Sequence, residues 1–104
     1  MARTTNAYDT LIYSRYPTAE AQARQDYDDA CMAEDDEQLR YDEGLTTLLA
    51  MYESHQTSAT IRFQRVVVEL DRKALRRARS ARELAEARLQ RIQKALSAGE
   101  DLRG

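Results

Sequence analysis

Ten apolar residues recur at helical spacing through the second half of the chain, and this pattern limits the fold more than any other sequence feature. The successive steps are 4, 3, 4, 4, 3, 4, 4, 3 and 4 residues, a repeat of eleven residues over three turns that predicts a nearly straight α-helix. Four successive positions in the middle of this stripe are alanines, and such small side chains predict close approach of a second helix. The positions are Phe63, Val67, Leu70, Ala74, Ala78, Ala81, Ala85, Leu89, Ile92 and Leu96.

A run of valines within this stripe also suits a β-strand. Val66–Val68, with Ile61 nearby, favours β-structure by intrinsic preference. The stripe passes through this run without a break, from Phe63 to Leu70, so we predict helix here.

The first half of the chain shows a second helical pattern. Pro17 followed by Thr18 is a typical helix start, and we expect this helix at about residues 18–53. Gly44 lowers helix preference and predicts a kink or fraying within residues 34–44. The apolar positions are Tyr41, Leu45, Leu48 and Tyr52.

A polar segment, residues 54–58, separates the two helical patterns and predicts the turn of an antiparallel hairpin. Thr57 or Ser58 would cap the second helix, which we expect at about residues 58–98 because Gly99 is a typical helix stop. The segment contains neither glycine nor proline, so one unbroken helix is the alternative.

Composition agrees with an all-α fold. Three glycines and one proline in 104 residues are too few for the turns of a β-sandwich or barrel.

No apolar run reaches the length of a membrane span, so we expect no membrane partner. Cys31 is the single cysteine and cannot form an internal disulfide, which favours the cytoplasm. The sequence therefore predicts a coiled-coil-like hairpin over residues 18–104.

An N-terminal segment, residues 1–17, precedes the hairpin as an arm or a short third helix. Its larger apolar side chains would share one face of a helix. They would either fold back on the hairpin or dock on a protein partner, because tyrosine is favoured at interfaces. These candidate contacts are Tyr8, Leu11, Ile12 and Tyr16.

The two halves of the chain carry opposite charge. Residues 19–53 hold 11 acidic and 2 basic residues, whereas residues 59–104 hold 12 basic and 6 acidic residues. In a hairpin turning near residue 56, neighbouring residues have numbers that sum to about 112. This register sets the densest acidic run, residues 34–37, beside the densest basic run, residues 72–82. The simplest interpretation is a surface that neutralises itself.

Helical geometry separates the cations of the second helix into two groups. Lys73, Arg77 and Arg82 flank the stripe and are expected to reach the first helix. Other arginines are expected on the back of the helix, available to solvent, phosphate or another chain. These candidate phosphate contacts are Arg65, Arg72, Arg76 and Arg79. We also expect exposed apolar side chains beside the stripe, as candidate protein contacts, at Val66, Leu75 and Leu84.

No catalytic, cofactor-binding or metal-binding constellation is present in the sequence. The single histidine, His55, excludes histidine-based triads and two-histidine metal sites. Cys31 has no His or Lys near it in sequence to activate the thiol. We therefore expect no enzyme and no cofactor.

Three classes of function are compatible with these features. The first is a non-catalytic assembly protein that contacts a protein partner or copies of itself, because a two-helix hairpin is marginally stable alone. The second is a nucleic-acid-binding protein that uses the arginine row, although the net charge of −2 opposes nonspecific binding. The third is an inhibitor whose acidic helix, residues 26–43, mimics nucleic acid.

Overall fold

The computed structural model describes residues 15–103, with side chains for residues 18–99. It contains two helices, α1 (Arg15–Glu53) and α2 (Ser58–Arg103), which pack against each other as a hairpin. No strand is present in this range. The prediction of an all-α hairpin is confirmed, whereas the unbroken helix and the strand are both excluded. Neither helix, over the same residues, is long and apolar enough to cross a membrane.

Both helices extend beyond the ends expected from sequence. Pro17 lies in the first turn of α1, where its missing N–H removes no helical hydrogen bond. Thr18 is therefore not the cap of this helix. Gly99 lies inside α2, which continues to Arg103. Tyr8, Leu11 and Ile12 lie outside the described residues, and Tyr16 is described by its backbone alone, in the first turn of α1.

The turn closes α1 with a Schellman arrangement and opens α2 with a side-chain cap. The N–H of His55 donates to the carbonyl of Tyr52 at 3.3 Å, and the N–H of Gln56 donates to the carbonyl of Met51 at 3.1 Å. This motif requires a left-handed residue after the helix, and His55 has a φ of 53°. Thr57 caps α2, because its hydroxyl accepts the N–H of Thr60 at 3.2 Å.

Replacing His55 with glycine is expected to raise the free energy of unfolding by about 0.5–1 kcal/mol. A side chain in the left-handed region costs about 1–2 kcal/mol, and the added freedom of glycine in the unfolded chain returns about 0.4–1 kcal/mol of that gain. Urea unfolding followed by circular dichroism measures the difference. Gln56→Gly is the control and should lower stability, because Gln56 has no positive φ. Equal stabilisation by both variants would contradict this account of the turn.

The chain divides into two compact units. We call Ala30–Glu83 the turn unit, and Met1–Asp29 with Leu84–Gly104 the terminal unit. In the terminal unit, Ala23 and Leu89 are buried. Arg88 lies 3.5 Å from the Asp26 carboxylate, so this unit is held by small apolar contacts and a partly exposed ion pair.

In the turn unit, one set of buried and half-buried residues on each helix repeats every seven residues, in alternating steps of three and four. Such heptads are typical of left-handed coiled coils. The predicted eleven-residue stripe is therefore wrong as the buried face of this unit, where Phe63 is 71% exposed and Leu70 is 58% exposed. In the terminal unit its positions are buried or half-buried as predicted, at Ala85, Leu89, Ile92 and Leu96. On α1 the heptad positions are Ala30, Glu34, Glu37, Tyr41, Gly44, Leu48 and Met51. On α2 they are Ile61, Gln64, Val68, Asp71, Leu75, Ala78 and Arg82.

The two helices of the turn unit approach each other closely at Gly44. A Cβ atom added there would lie 3.3 Å from the Cγ2 atom of Val68, tighter than ordinary van der Waals contact. The Gln64 side chain crosses the same level and donates to the Gly44 carbonyl at 3.1 Å. Helix α1 continues unbroken past this point, so the predicted fraying is wrong and the glycine serves close packing.

The packed face in the turn unit is polar at the end away from the turn. Arg82 contacts Glu34 at 3.3 Å. Glu37 binds Arg40 of its own helix at 3.2 Å, while its other carboxylate oxygen is buried without a hydrogen bond. Only Val68 and Leu75 are buried apolar side chains among the described residues of this unit. The hairpin therefore has a small apolar core.

Candidate functional site

The turn unit has two exposed faces with candidate binding residues, one on each side of the packed face of α2. The first, the outer stripe, repeats in steps of 4, 3, 4, 3 and 4 residues and so forms a second heptad pattern on the same helix. It consists of Phe63, Val67, Leu70, Ala74, Arg77 and Ala81. Val66, beside it, is 54% exposed.

The outer stripe is a largely apolar surface that the hairpin itself covers only in part, since Val67 and Ala74 are half-buried. Phe63 and Leu70 are more than half exposed, whereas a helix facing only solvent on this side would have polar residues there. The register of the hairpin sets small residues of α1 beside the stripe, Ala33, Thr47 and Ala50. The result is a face with projecting side chains on α2 and, at these three levels, small side chains on α1.

Unpaired charges border this face on both helices. Asp36 and Glu43 of α1 are exposed, and neither forms an ion pair with any described residue. On α2, Lys73 and Arg77 are likewise exposed and without an ion pair in the same part of the chain. The α1 border is therefore acidic and the α2 border basic.

The self-neutralisation expected from the sequence occurs only in part. Of the acidic run at residues 34–37, Glu34 alone forms a described ion pair across the hairpin, to Arg82 and, at 4.0 Å, to Arg79. The expectation that Arg82 reaches α1 is confirmed. Lys73 and Arg77 were expected to do the same, but no such contact is present among the described residues.

The second face, the arginine face, carries Arg65, Arg72, Arg76 and Arg79. Arg79 was expected on the back of α2, and this is wrong: its guanidinium donates to the side-chain oxygen of Gln38 on α1 at 2.9 Å. In a heptad geometry Arg79 occupies a position flanking the packed face, from which a long side chain reaches the other helix. Arg65, Arg72 and Arg76 form no hydrogen bond or ion pair with α1 in the described residues.

Glu69 holds Arg72 in place on the arginine face. The guanidinium donates through Nε at 2.9 Å and through Nη2 at 2.6 Å to the two carboxylate oxygens. This hydrogen bonding lowers the pKa of the Glu69 carboxyl and raises the pKa of Arg72. The charges of Lys73 and Arg76 lower the pKa of Glu69 further. A single carboxylate thus lies among three cations.

A shallow pocket of about 260 Å³ lies on the arginine face between the helices of the turn unit. Leu75 and Tyr41 provide its apolar part, and three guanidiniums surround them. Leu75 was expected to be an exposed protein contact, and this is wrong, because it is only 4% exposed. The residues that line the pocket are Tyr41, Arg72, Leu75, Arg76 and Arg79.

The remaining candidate residues are simply exposed or isolated. Leu84, in the terminal unit, is 71% exposed, as expected from sequence, and Val66 is exposed as well. Among the described side chains, no group of three or more histidine, cysteine, aspartate or glutamate residues is arranged to hold a metal ion. Cys31 is half-buried and free.

The exposure of Phe63 and Leu70 could not be predicted from the spacing of apolar residues alone. The heptad pattern of the packed face includes Gln64 and Asp71, so a search for apolar residues alone joins the wrong positions.

No protein-family model matches the chain, and comparisons with curated proteins and with solved structures gave no match either.

Proposed function

We propose that this protein is a non-catalytic assembly protein whose hairpin pairs with a second copy of itself through the outer stripe. The observation that carries the proposal is the second heptad on α2, with Phe63 and Leu70 exposed by 71% and 58%. Each such side chain would stabilise a dimer by about 1.5–3 kcal/mol on full burial. With its single free cysteine, the protein is proposed to act in the reducing cytoplasm.

Electrostatic complementarity favours one of two possible orientations of the second copy. A two-fold axis parallel to the helices sets the acidic α1 border of each copy against the basic α2 border of the other. An axis perpendicular to the helices would instead oppose α1 to α1 and bring like charges together, which is unfavourable. The parallel axis gives a four-helix bundle in which every helix is antiparallel to its neighbours.

The same axis keeps each residue at its level along the bundle, which makes the two surfaces complementary in shape. Within one hairpin, residues at the same level have numbers that sum to about 113, as Glu34 and Arg79 show. Phe63 would therefore meet the level of Ala50 in the second copy, and Val67 the level of Thr46 and Thr47. At these two levels the larger side chain of one copy faces a small side chain of the other.

Asp36 and Arg77 provide the sharpest test of this arrangement, because they lie at the same level in opposite copies. Asp36→Arg alone and Arg77→Asp alone should each weaken the dimer about tenfold, since exposed pairs are worth about 0.2–1 kcal/mol and each pair occurs twice. The double variant restores opposite charges and should return the dissociation constant to within about threefold of the wild type. Sedimentation equilibrium at micromolar concentration measures all four proteins.

Two outcomes of these measurements would contradict the proposal. A wild-type mass of 12.0 kDa at tens of micromolar would overturn the proposal. A dimer in which the double variant is no tighter than either single variant would overturn the parallel axis. Arg62→Asp is a control for net charge: it is exposed on α2, lies away from the outer stripe and should leave the dissociation constant unchanged.

A further inference from the structure

We propose that the pocket on the arginine face is a binding site for a phosphate monoester on a small apolar or aromatic group. The pocket joins three guanidiniums, from Arg72, Arg76 and Arg79, with the apolar surface of Leu75 and the ring of Tyr41. This site lies on the side of α2 opposite the outer stripe, so it does not depend on self-association.

Two of the three guanidiniums are already held in position. Glu69 binds Arg72 through Nε and Nη2, which leaves Nη1 free to donate. The side-chain oxygen of Gln38 accepts from Nη2 of Arg79 at 2.9 Å, again leaving Nη1 unused in the described contacts. Side chains fixed in this way lose less conformational entropy when a ligand binds.

Arg76 is the member of the set with no bond of its own. It lies one helical turn from both Arg72 and Arg79, and it forms neither a hydrogen bond nor an ion pair with any described residue. All five of its N–H donors are therefore available for an anion. Glu69 already offsets the charge of Arg72, so Arg76 supplies attraction that the protein does not cancel through a direct pair.

The composition of the pocket distinguishes the class of ligand. A phosphate monoester has three terminal oxygens and a charge of about −1.5 to −2 at neutral pH, which suits three guanidinium donors better than the two free oxygens of a diester. Guanidinium groups recognise phosphate through paired N–H donors. Leu75 and Tyr41 form an apolar surface for the group that carries the phosphate.

Three probes are titrated into the full-length protein, and binding is followed by NMR. They are phenyl phosphate, inorganic phosphate and a single-stranded oligonucleotide of ten nucleotides. Phenyl phosphate is expected to bind most tightly and to shift the Tyr41 ring and Leu75 methyl signals. Inorganic phosphate should bind at the same site at least threefold more weakly, because it lacks the apolar group. Tighter binding of the oligonucleotide would overturn the monoester assignment.

Arg76→Gln and Lys73→Gln are matched variants, because both remove one exposed cation from α2 and only Arg76 lines the pocket. Arg76→Gln should weaken phenyl phosphate binding at least tenfold, whereas Lys73→Gln should weaken it less than threefold. Equal losses would show nonspecific attraction to a basic helix and would overturn the site. No shift of Tyr41 or Leu75 at 10 mM phenyl phosphate would overturn it as well.

Discussion

Leu70→Glu is expected to convert the proposed dimer into a monomer at micromolar concentration. The side chain is 58% exposed in the single hairpin, so the substitution leaves the fold intact but puts a carboxylate where the second copy would pack. Full burial of a leucine is worth about 1.5–3 kcal/mol, so each copy loses about 1–2 kcal/mol for the part of Leu70 still exposed in the hairpin, and the symmetric interface contains the residue twice. The dissociation constant should rise at least about a hundredfold, as measured by sedimentation equilibrium.

Leu49→Glu is the matched control for this variant. Leu49 is 60% exposed and shares the side of α1 that carries Gln38, which contacts the arginine face and not the outer stripe. The same change in charge and polarity there should therefore leave the dimer intact. Circular dichroism of both variants verifies that the helices persist. If Leu49→Glu dissociates the dimer and Leu70→Glu does not, copies associate through a different face and the proposed arrangement is wrong.

The hairpin was predictable from sequence because helix preference and turn placement act locally. A run of polar residues at 54–58 was enough to place the turn, and Thr57 caps α2 as expected. The register followed from the turn as well: Gly44 meets Val68, and their numbers sum to the expected 112. These features depend on short stretches of chain.

The orientation of α2 in the turn unit was not predictable in the same way, because it depends on which side chains α1 places opposite it. Gly44 gives room for Val68, and Glu34 gives a partner for Arg82, so the packed face accepts a polar residue and leaves Phe63 outside. An apolar stripe on one helix cannot reveal this choice. The pocket was missed for the same reason, since it needs Tyr41 from one helix and three arginines from the other.

Leu75 is central to the stability of the hairpin under this packing. It is 4% exposed and is one of four buried apolar residues among the described side chains, with Ala23, Val68 and Leu89. A core this small cannot distribute the loss of a leucine over many other contacts. Leu75→Ala is therefore expected to lower the free energy of unfolding by about 2–5 kcal/mol, the range for buried leucines.

Leu84→Ala provides the comparison, because Leu84 is a leucine of the same helix that is 71% exposed. This substitution should change stability by less than about 0.5 kcal/mol. Urea unfolding of both variants is measured at one protein concentration, since self-association would add to apparent stability. The eleven-residue stripe left both leucines outside the packed face and implies equally small effects, whereas the heptad packing requires a large loss for Leu75 alone. Equal effects would therefore reject the heptad packing of α2 against α1 in the turn unit.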